Sequence, residues 1–306
     1  MAKKMDVGGQ AVIEGVMMRS PNYYAVAIRS PKGKIVTKIN KIKKKNKLLK
    51  LFFIRGIVNL VDMLVLGIKT LTWSANQQTD NKDEKLSKSE IFWTIFLSIF
   101  FVILFFVALP YFLTHLLGFI EEKKPVMFNL IDGIIKITLF LAYIYLISLM
   151  KDVKTLFQYH GAEHKSIYCF EAKKKLTVQN VREYSTLHPR CGTSFIFIVL
   201  IASIIIFTFL PFFVQKINPG FNELNVWMRK SILFSLRIAV IPLIAGISYE
   251  LLKLSAKLSD SPIMAIVILP GILLQKITTK EPTKKQIEVA IHSLESVLKR
   301  EKTKDI

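Results

Sequence analysis

From Ile91 to Leu117 the chain runs without one formal charge, and no other feature limits the fold as severely. A helix apolar on every side needs an apolar surrounding, and a bilayer core takes about 20 helical residues. Three further segments meet the same criterion. Leu130 to Met150 carries Asp132 and Lys136 near its start, Ser194 to Val214 is uncharged, and Ser231 to Leu254 contains Arg237 and Glu250. A hydrophobic content of 52% coexists with a formal charge of +21, so apolar and basic residues must be segregated along the chain. A disordered polyelectrolyte is excluded by the apolar content, and a disulfide-stapled secreted domain by two cysteines. The apolar stretches begin far from the N-terminus, so none reads as a cleaved signal peptide.

Basic residues set the expected orientation. Residues 1–50 hold thirteen Lys and Arg against Asp6 and Glu14, and the 151–193 loop holds eight. The 118–129 loop balances Lys123 and Lys124 with Glu121 and Glu122. These counts place both termini and the 151–193 loop in the cytosol, with four crossings between them. The expected class is a mainly α multi-pass cell-membrane protein with four transmembrane helices, interfacial or re-entrant helices and a small cytosolic β-hairpin region.

The expected units follow in order. Residues 1–47 form a basic, β-rich segment, with a hairpin from Tyr24 through Pro-Lys-Gly-Lys to Ile39. Residues 48–74 form an interfacial or bundle-packed amphipathic helix whose polar stripe is Arg55, Asn59, Asp62 and Lys69. Residues 75–90 are a polar linker, 91–150 the first two spans, and 194–254 the third and fourth. Residues 255–277 are an interfacial or re-entrant segment broken at Pro270-Gly271, and 278–306 a cytosolic helix built on Ile287, Ala290, Ile291, Leu294 and Leu298. The lysines from Lys41 to Lys50 beside an amphipathic segment fit anionic lipid headgroups better than nucleic acid. The oligomeric state is not readable. Arg237, toward the outer half of its span, is expected to pair with Asp132.

The 151–193 loop carries three of the five histidines and both cysteines. Read as a helix continuing the second span, it aligns Val153, Leu156 and Phe157 with His160, Glu163, His164, Ile167 and Glu171. Lys154, Lys165 and Lys173 are left facing water. His160 and His164 are four residues apart, so both imidazoles reach one metal ion, and Glu163 lies beside it as a general base. This His-x-x-Glu-His order is the inverted zinc-protease pattern. His188-Pro-Arg-Cys191-Gly forms a turn that supplies His188 or Cys191 as third ligand. The plain alternative is a structural histidine pair and an ordinary reduced thiol.

Glu250 lies near the cytosolic end of the fourth span and is a candidate ligand or partner for a histidine N–H. Gly8-Gly9-Gln10-Ala-Val-Ile-Glu14-Gly15 places glycines around one carboxylate. It reads either as a cover that projects Glu14 into a site or as a bulged strand in a small sheet.

The segments Gly8 to Arg19, His160-Gly-Ala-Glu-His164, His188-Pro-Arg-Cys-Gly-Thr-Ser194 and Thr278-Thr-Lys-Glu-Pro282, with Gln286-Ile-Glu-Val-Ala, resemble the YqhQ family of bacterial membrane proteins. That family is described as a domain of unknown function and sometimes labelled a predicted metal-dependent enzyme. The resemblance covers essentially the whole chain. It implies that Gln10 and Glu14 approach the histidine cluster.

Two functions compete on this reading. The first is a metal-dependent hydrolase at the cytosolic membrane face. In it His160, His164 and either His188 or Cys191 hold a divalent transition metal, Zn²⁺ by donor type. Glu163 accepts a proton, Lys165 and Arg190 stabilise developing negative charge, and Gln10, Glu14, Glu171 and Glu250 stand behind them. A lipid or membrane-peptide substrate follows from location alone. The second is a non-enzymatic assembly factor or a transporter with a structural or sensory metal.

Overall fold

The computed structural model describes residues 7–43, 51, 54–79, 86–121, 124–257 and 261–303. The basic run 44–50 and most of the charged part of the expected linker, 80–85, lie outside these. Four strands, β1 (Gly8–Val12), β2 (Gly15–Arg19), β3 (Tyr23–Arg29) and β4 (Ile35–Lys41), form an antiparallel meander in chain order. The hairpin expected around Pro31 to Lys34 is β3–β4, its turn fixed by Gly33 at φ +80°. Residues 8–19 are not one bulged strand. They fold back as β1–β2, pairing Gly8 with Arg19 and Val12 with Gly15.

Strand alternation gives this sheet two apolar faces. Val16, Met18, Ala25 and Ala27 look one way and Met17, Tyr24, Val26 and Ile28 the other. The second face is covered by α1 (Ile54–Asn76) through Leu66 and Trp73. The buried side of α1 is small, with Gly56, Gly67, Thr70 and Ser74, so its backbone approaches its neighbours closely. The expected polar stripe divides. Arg55 and Asn59 turn toward another helix, while Asp62 and Lys69 are exposed.

Among the described residues, four helices are long and apolar enough to cross a membrane. The first, Lys88–Leu116, joins α2 (Lys88–Ile103), a π turn (Leu104–Ala108) and α3 (Leu109–Leu116). The widened turn lies where the Pro110 ring would otherwise crowd the preceding turn's carbonyls. None of the α2 residues is buried, so its Phe and Trp side chains stay on the chain's surface. The second is α4 (Pro125–Ser148).

The expectation that the next helix simply continues α4 is corrected. Met150 is extended, at φ −71° and ψ 138°, and a separate helix α5 (Lys151–Glu171) starts there with Asp152 in its first turn, where the helix dipole favours an acid. The short α6 (Val178–Arg182) follows. Then come α7 (Thr193–Ile217), a 3₁₀ turn (Pro219–Glu223) and α8 (Val226–Lys257), which supply the third and fourth apolar helices. Arg237 and Asp132 do not pair. Asp132 pairs through one oxygen with Lys136, one turn along its own helix. Arg237 instead reaches Glu121 at 2.7 Å and Asn129 at 3.0 Å, over the rings of Phe207 and Tyr111.

A fifth apolar helix, α9 (Pro262–Thr278), runs through Pro270-Gly271 without breaking. One lost ladder bond at the proline is offset by packing on α7, where a Cβ on Gly271 would meet the Cα of Ser194 at 2.4 Å. The last helix, α10 (Lys284–Lys302), opens with a capping box between Thr283 and Gln286. Ile287, Ala290, Ile291 and Leu294 are buried and Leu298 is partly so, packed with α5 on the first face of the sheet. Sheet, α5 and α10 thus form one packed unit, beside the helix ends at Ser148 and Thr193.

Candidate metal centre

Helix α5 brings three of the predicted residues onto one turn. His160 and His164 stack edge to face with ring centroids 4.4 Å apart. Each ring is oriented by a backbone carbonyl. His160 Nδ1 donates to Thr278 O at 2.9 Å and His164 Nδ1 to Thr186 O at 2.5 Å. A carbonyl only accepts, so both Nδ1 atoms carry the proton and both Nε2 atoms are left with their lone pair. Those of His160 and Cys191 meet, with Nε2 3.2 Å from Sγ. Donor atoms of His160, His164 and Cys191 all lie within 4.8 Å of one another. Metal-binding histidines are oriented by the same device, a second nitrogen held by a carbonyl.

Cys191 precedes the first turn of α7. Burial pushes its thiol up, but the adjacent His164 ring and hydrogen bonds from both the side chain and the backbone N–H of Thr193 outweigh that, so its pKa is lowered. The N-terminus of α7 favours the same thiolate. For His164 burial dominates and lowers the pKa, keeping the ring neutral. Glu163 is buried beside the pair. Desolvation raises its pKa to about 8, and the Cys191 charge adds to this. Proximity to His160 and a hydrogen bond from the Gly9 N–H act in the opposite direction. That bond requires glycine. A Cβ on Gly9 would meet Met17 O at 2.7 Å and Glu163 Cδ and Oε1 at 2.9 Å.

The remaining predicted residues are distributed around this core. His188 stands one step back. Its Nδ1 accepts the Arg190 N–H at 3.2 Å, and its Nε2 is 3.8 Å from Glu171. Arg190 also pairs with Glu171. Gln10 lines the same cavity as the cluster, its amide against Gly67 of α1. Three residues are held elsewhere. Glu14 sits at the β1–β2 tip at φ +52° and accepts the Tyr159 hydroxyl at 3.1 Å. Glu250 is engaged by Arg55 at 2.6 Å. Lys165, expected to face water, is buried. Its Nζ donates to Arg182 O at 3.0 Å and pairs with Glu281 at 2.7 Å.

The cluster opens into a cavity of about 690 Å³ bounded by β1, α1, α5, the 188–193 turn and α8. Several contributors carried no sequence signal of their own. Gln275 of α9 is fully buried and grips the His188 backbone at both ends, its Oε1 accepting the His188 N–H at 2.7 Å and its Nε2 donating to the His188 carbonyl at 2.9 Å. Thr186 and Thr278 act through carbonyls, which every residue has.

A family model described as "Protein of unknown function (DUF1385)" matches residues 51–300. The uncharacterised protein YqhQ of Bacillus subtilis (strain 168) is 35% identical over 311 aligned residues, covering 96% of this chain and 92% of that protein. The chain belongs to this family. No solved structure matches. The family resemblance read from the separated motifs is therefore met along the whole chain, and those motifs converge: Gly9, His160, Glu163, His164 and Cys191 border one cavity. Neither the family description nor the relative's name states an activity or a metal.

Proposed function

We propose that this protein is a membrane-embedded hydrolase dependent on a transition metal, with its site on the face that the basic residues place in the cytosol. The observation that carries the reading is the pair of imidazoles whose Nδ1 protons are spent on Thr278 O and Thr186 O, which turns both Nε2 atoms toward Cys191. Two imidazoles whose Nδ1 atoms are committed to carbonyls and a thiol of lowered pKa make a donor set that suits Zn²⁺ with one position left open. When bound, such an ion polarises a carbonyl or phosphoryl oxygen and acidifies water. Glu163 then holds and returns the proton. A cation at the cluster would favour its ionised form, and its carboxyl has the Gly9 N–H to hold it in place.

A second reading has its own support. Cys191, at a helix N-terminus with its thiol pKa lowered and an imidazole nitrogen at 3.2 Å, has the attributes of a nucleophilic cysteine. Metal analysis separates the two. Purified wild type is expected to carry close to one equivalent of transition metal and His160→Ala much less, while Glu163→Gln keeps the metal and loses the ability to replace the wild-type gene. Equal metal content in wild type and His160→Ala would sink the metal centre. Alkylation of Cys191 by iodoacetamide, unaffected by chelators, would then favour the thiol. A metal that persists in a fully functional Glu163→Gln would indicate a structural or sensory ion.

A further inference from the structure

The hydrolase reading leaves the substrate open, and the walls of the same cavity narrow it. Beside the cluster, Leu60 and Met63 of α1, Leu156 and Phe157 of α5, Phe195 of α7 and Leu252 of α8 form an apolar chamber. All six are at least partly exposed. A small polar substrate would leave them facing water, whereas an alkyl or acyl chain would cover them. The chamber adjoins the packing of α1 on α8, where a Cβ on Gly56 would meet Gly246 Cα at 3.1 Å and Asn59 donates to the Tyr249 hydroxyl at 2.8 Å. Leu252 places the chamber near the C-terminal end of apolar helix α8.

Next to the chamber, the cavity shares Val7, Gly8, Arg19 and Arg190 with an adjoining recess of about 420 Å³. Arg190 is paired with Glu171. Arg19 donates to the Met63 thioether at 2.8 Å, a weak acceptor for a guanidinium. An acidic group is a far stronger one. A peptide bound by strand addition fits less well, because that mode needs a free strand edge. The outer edge of β1 is packed on α5, with Gly9 N–H committed to Glu163.

We propose, resting on the hydrolase reading, that the substrate is an anionic amphiphile. Its chain fills the chamber, its acidic head lies by Arg19 and Arg190, and a scissile ester faces the cluster in the same cavity. Hydrolysis adds water across that ester, with hydroxyl to the acyl or phosphoryl centre and the proton, through Glu163, to the leaving oxygen. The head is a carboxylate or a phosphate, and the shared chemistry is a singly attached acid.

The test is photolabelling of the full chain in phosphatidylcholine nanodiscs with a diazirine-bearing dodecyl phosphate, the adducts mapped by mass spectrometry. Adducts are expected on the chamber side chains and are displaced by dodecyl phosphate. Inorganic phosphate and dodecyltrimethylammonium at equal concentration should not displace them. Arg19→Gln should reduce labelling about tenfold, the loss of one charge-assisted contact, and Leu60→Trp should block it by filling the chamber. Both variants are checked for an unchanged melting temperature, so that each reports on binding. Labelling spread over α2 and α7 without displacement, or displaced equally by the cationic amphiphile, overturns the proposal. Displacement by inorganic phosphate alone overturns it in favour of a soluble ligand. The labelling needs no metal, so specific labelling of a protein that purifies without metal and takes up none from added Zn²⁺ would remove the hydrolase reading and leave the amphiphile site. One equivalent of metal without specific labelling would do the reverse.

Discussion

Replacing Gly9 by alanine tests the centre through its least conspicuous member. The added methyl would lie 2.7 Å from Met17 O and 2.9 Å from Glu163 Cδ and Oε1. Optimal carbon contacts are about 3.5–4.0 Å, so something must move by roughly 0.6–1 Å. Met17 is fully buried and its carbonyl belongs to the β1–β2 ladder, so the sheet resists. The Glu163 carboxyl is the softer neighbour, and shifting it breaks the hydrogen bond from Gly9 N–H. Overpacking of this kind costs about 1–3 kcal/mol. None of His160, His164 and Cys191 touches the new methyl among the atoms nearest to it. Gly9→Ala should therefore lower the melting temperature of the purified protein and abolish function, yet retain the metal of wild type. The assays are thermal unfolding in micelles, metal content by mass spectrometry, and replacement of the wild-type gene. Wild-type melting together with wild-type function would refute the placement of β1 against Glu163. Loss of metal would mean that Glu163 itself is a ligand.

Two further outcomes follow from the same geometry. Gln275→Ala leaves the His188 N–H and carbonyl buried without their partner. Each lost bond costs about 1–3 kcal/mol, and the freed 188–193 turn should make Cys191 react faster with iodoacetamide. Unchanged reactivity would show that the turn does not depend on α9. In metal-stripped protein, a Glu163 pKa of about 8 against an ordinary 4.5 means that the folded chain holds a proton the unfolded chain releases. Stability relative to Glu163→Gln is then full below about pH 4.5, falls as pH rises to about 8, and is flat above, by on the order of 5 kcal/mol in all. A difference that stays constant across that window would show a hydrated carboxyl.

How much of this was legible in the sequence depended on where the signal resides. The apolar runs, the β3–β4 hairpin and α10 follow from periodicity and turn chemistry that local residues carry. The His160, Glu163 and His164 grouping follows equally from helical spacing. Lys165 was misplaced because α5 was read with one wet face. The sheet, α10 and the 182–188 loop enclose its second half, so that even a lysine is buried there with Glu281 and a carbonyl. Pro270-Gly271 looked like a break because the pair lowers helix propensity, whereas contact with Ser194 of α7 decides the matter. Glu14 was drawn toward the cluster by the family resemblance, its glycine neighbours alone leaving the choice open. Those glycines serve different ends, since Gly9 admits Glu163 and Gly15 closes the hairpin that carries Glu14 away. Thr186 and Thr278 could not be found at all, because a carbonyl leaves no mark in a sequence.

The last of these gives α9 a role beyond its apolar surface. Its C-terminal turn touches the centre twice: Thr278 O fixes the His160 ring, and Gln275 fixes the His188 backbone from which Cys191 is reached. Cys191 N–H in turn donates to His188 O at 3.2 Å. Two donors contributed by two different elements, His160 of α5 and Cys191 of the turn before α7, therefore share one support. A shift of α9 along α7 would move His160 and Cys191 together rather than separately, and the close contact of Gly271 on Ser194 limits that shift. The Thr278–Pro282 motif marks the end of this support, which explains its presence more than a hundred residues after the histidines it serves.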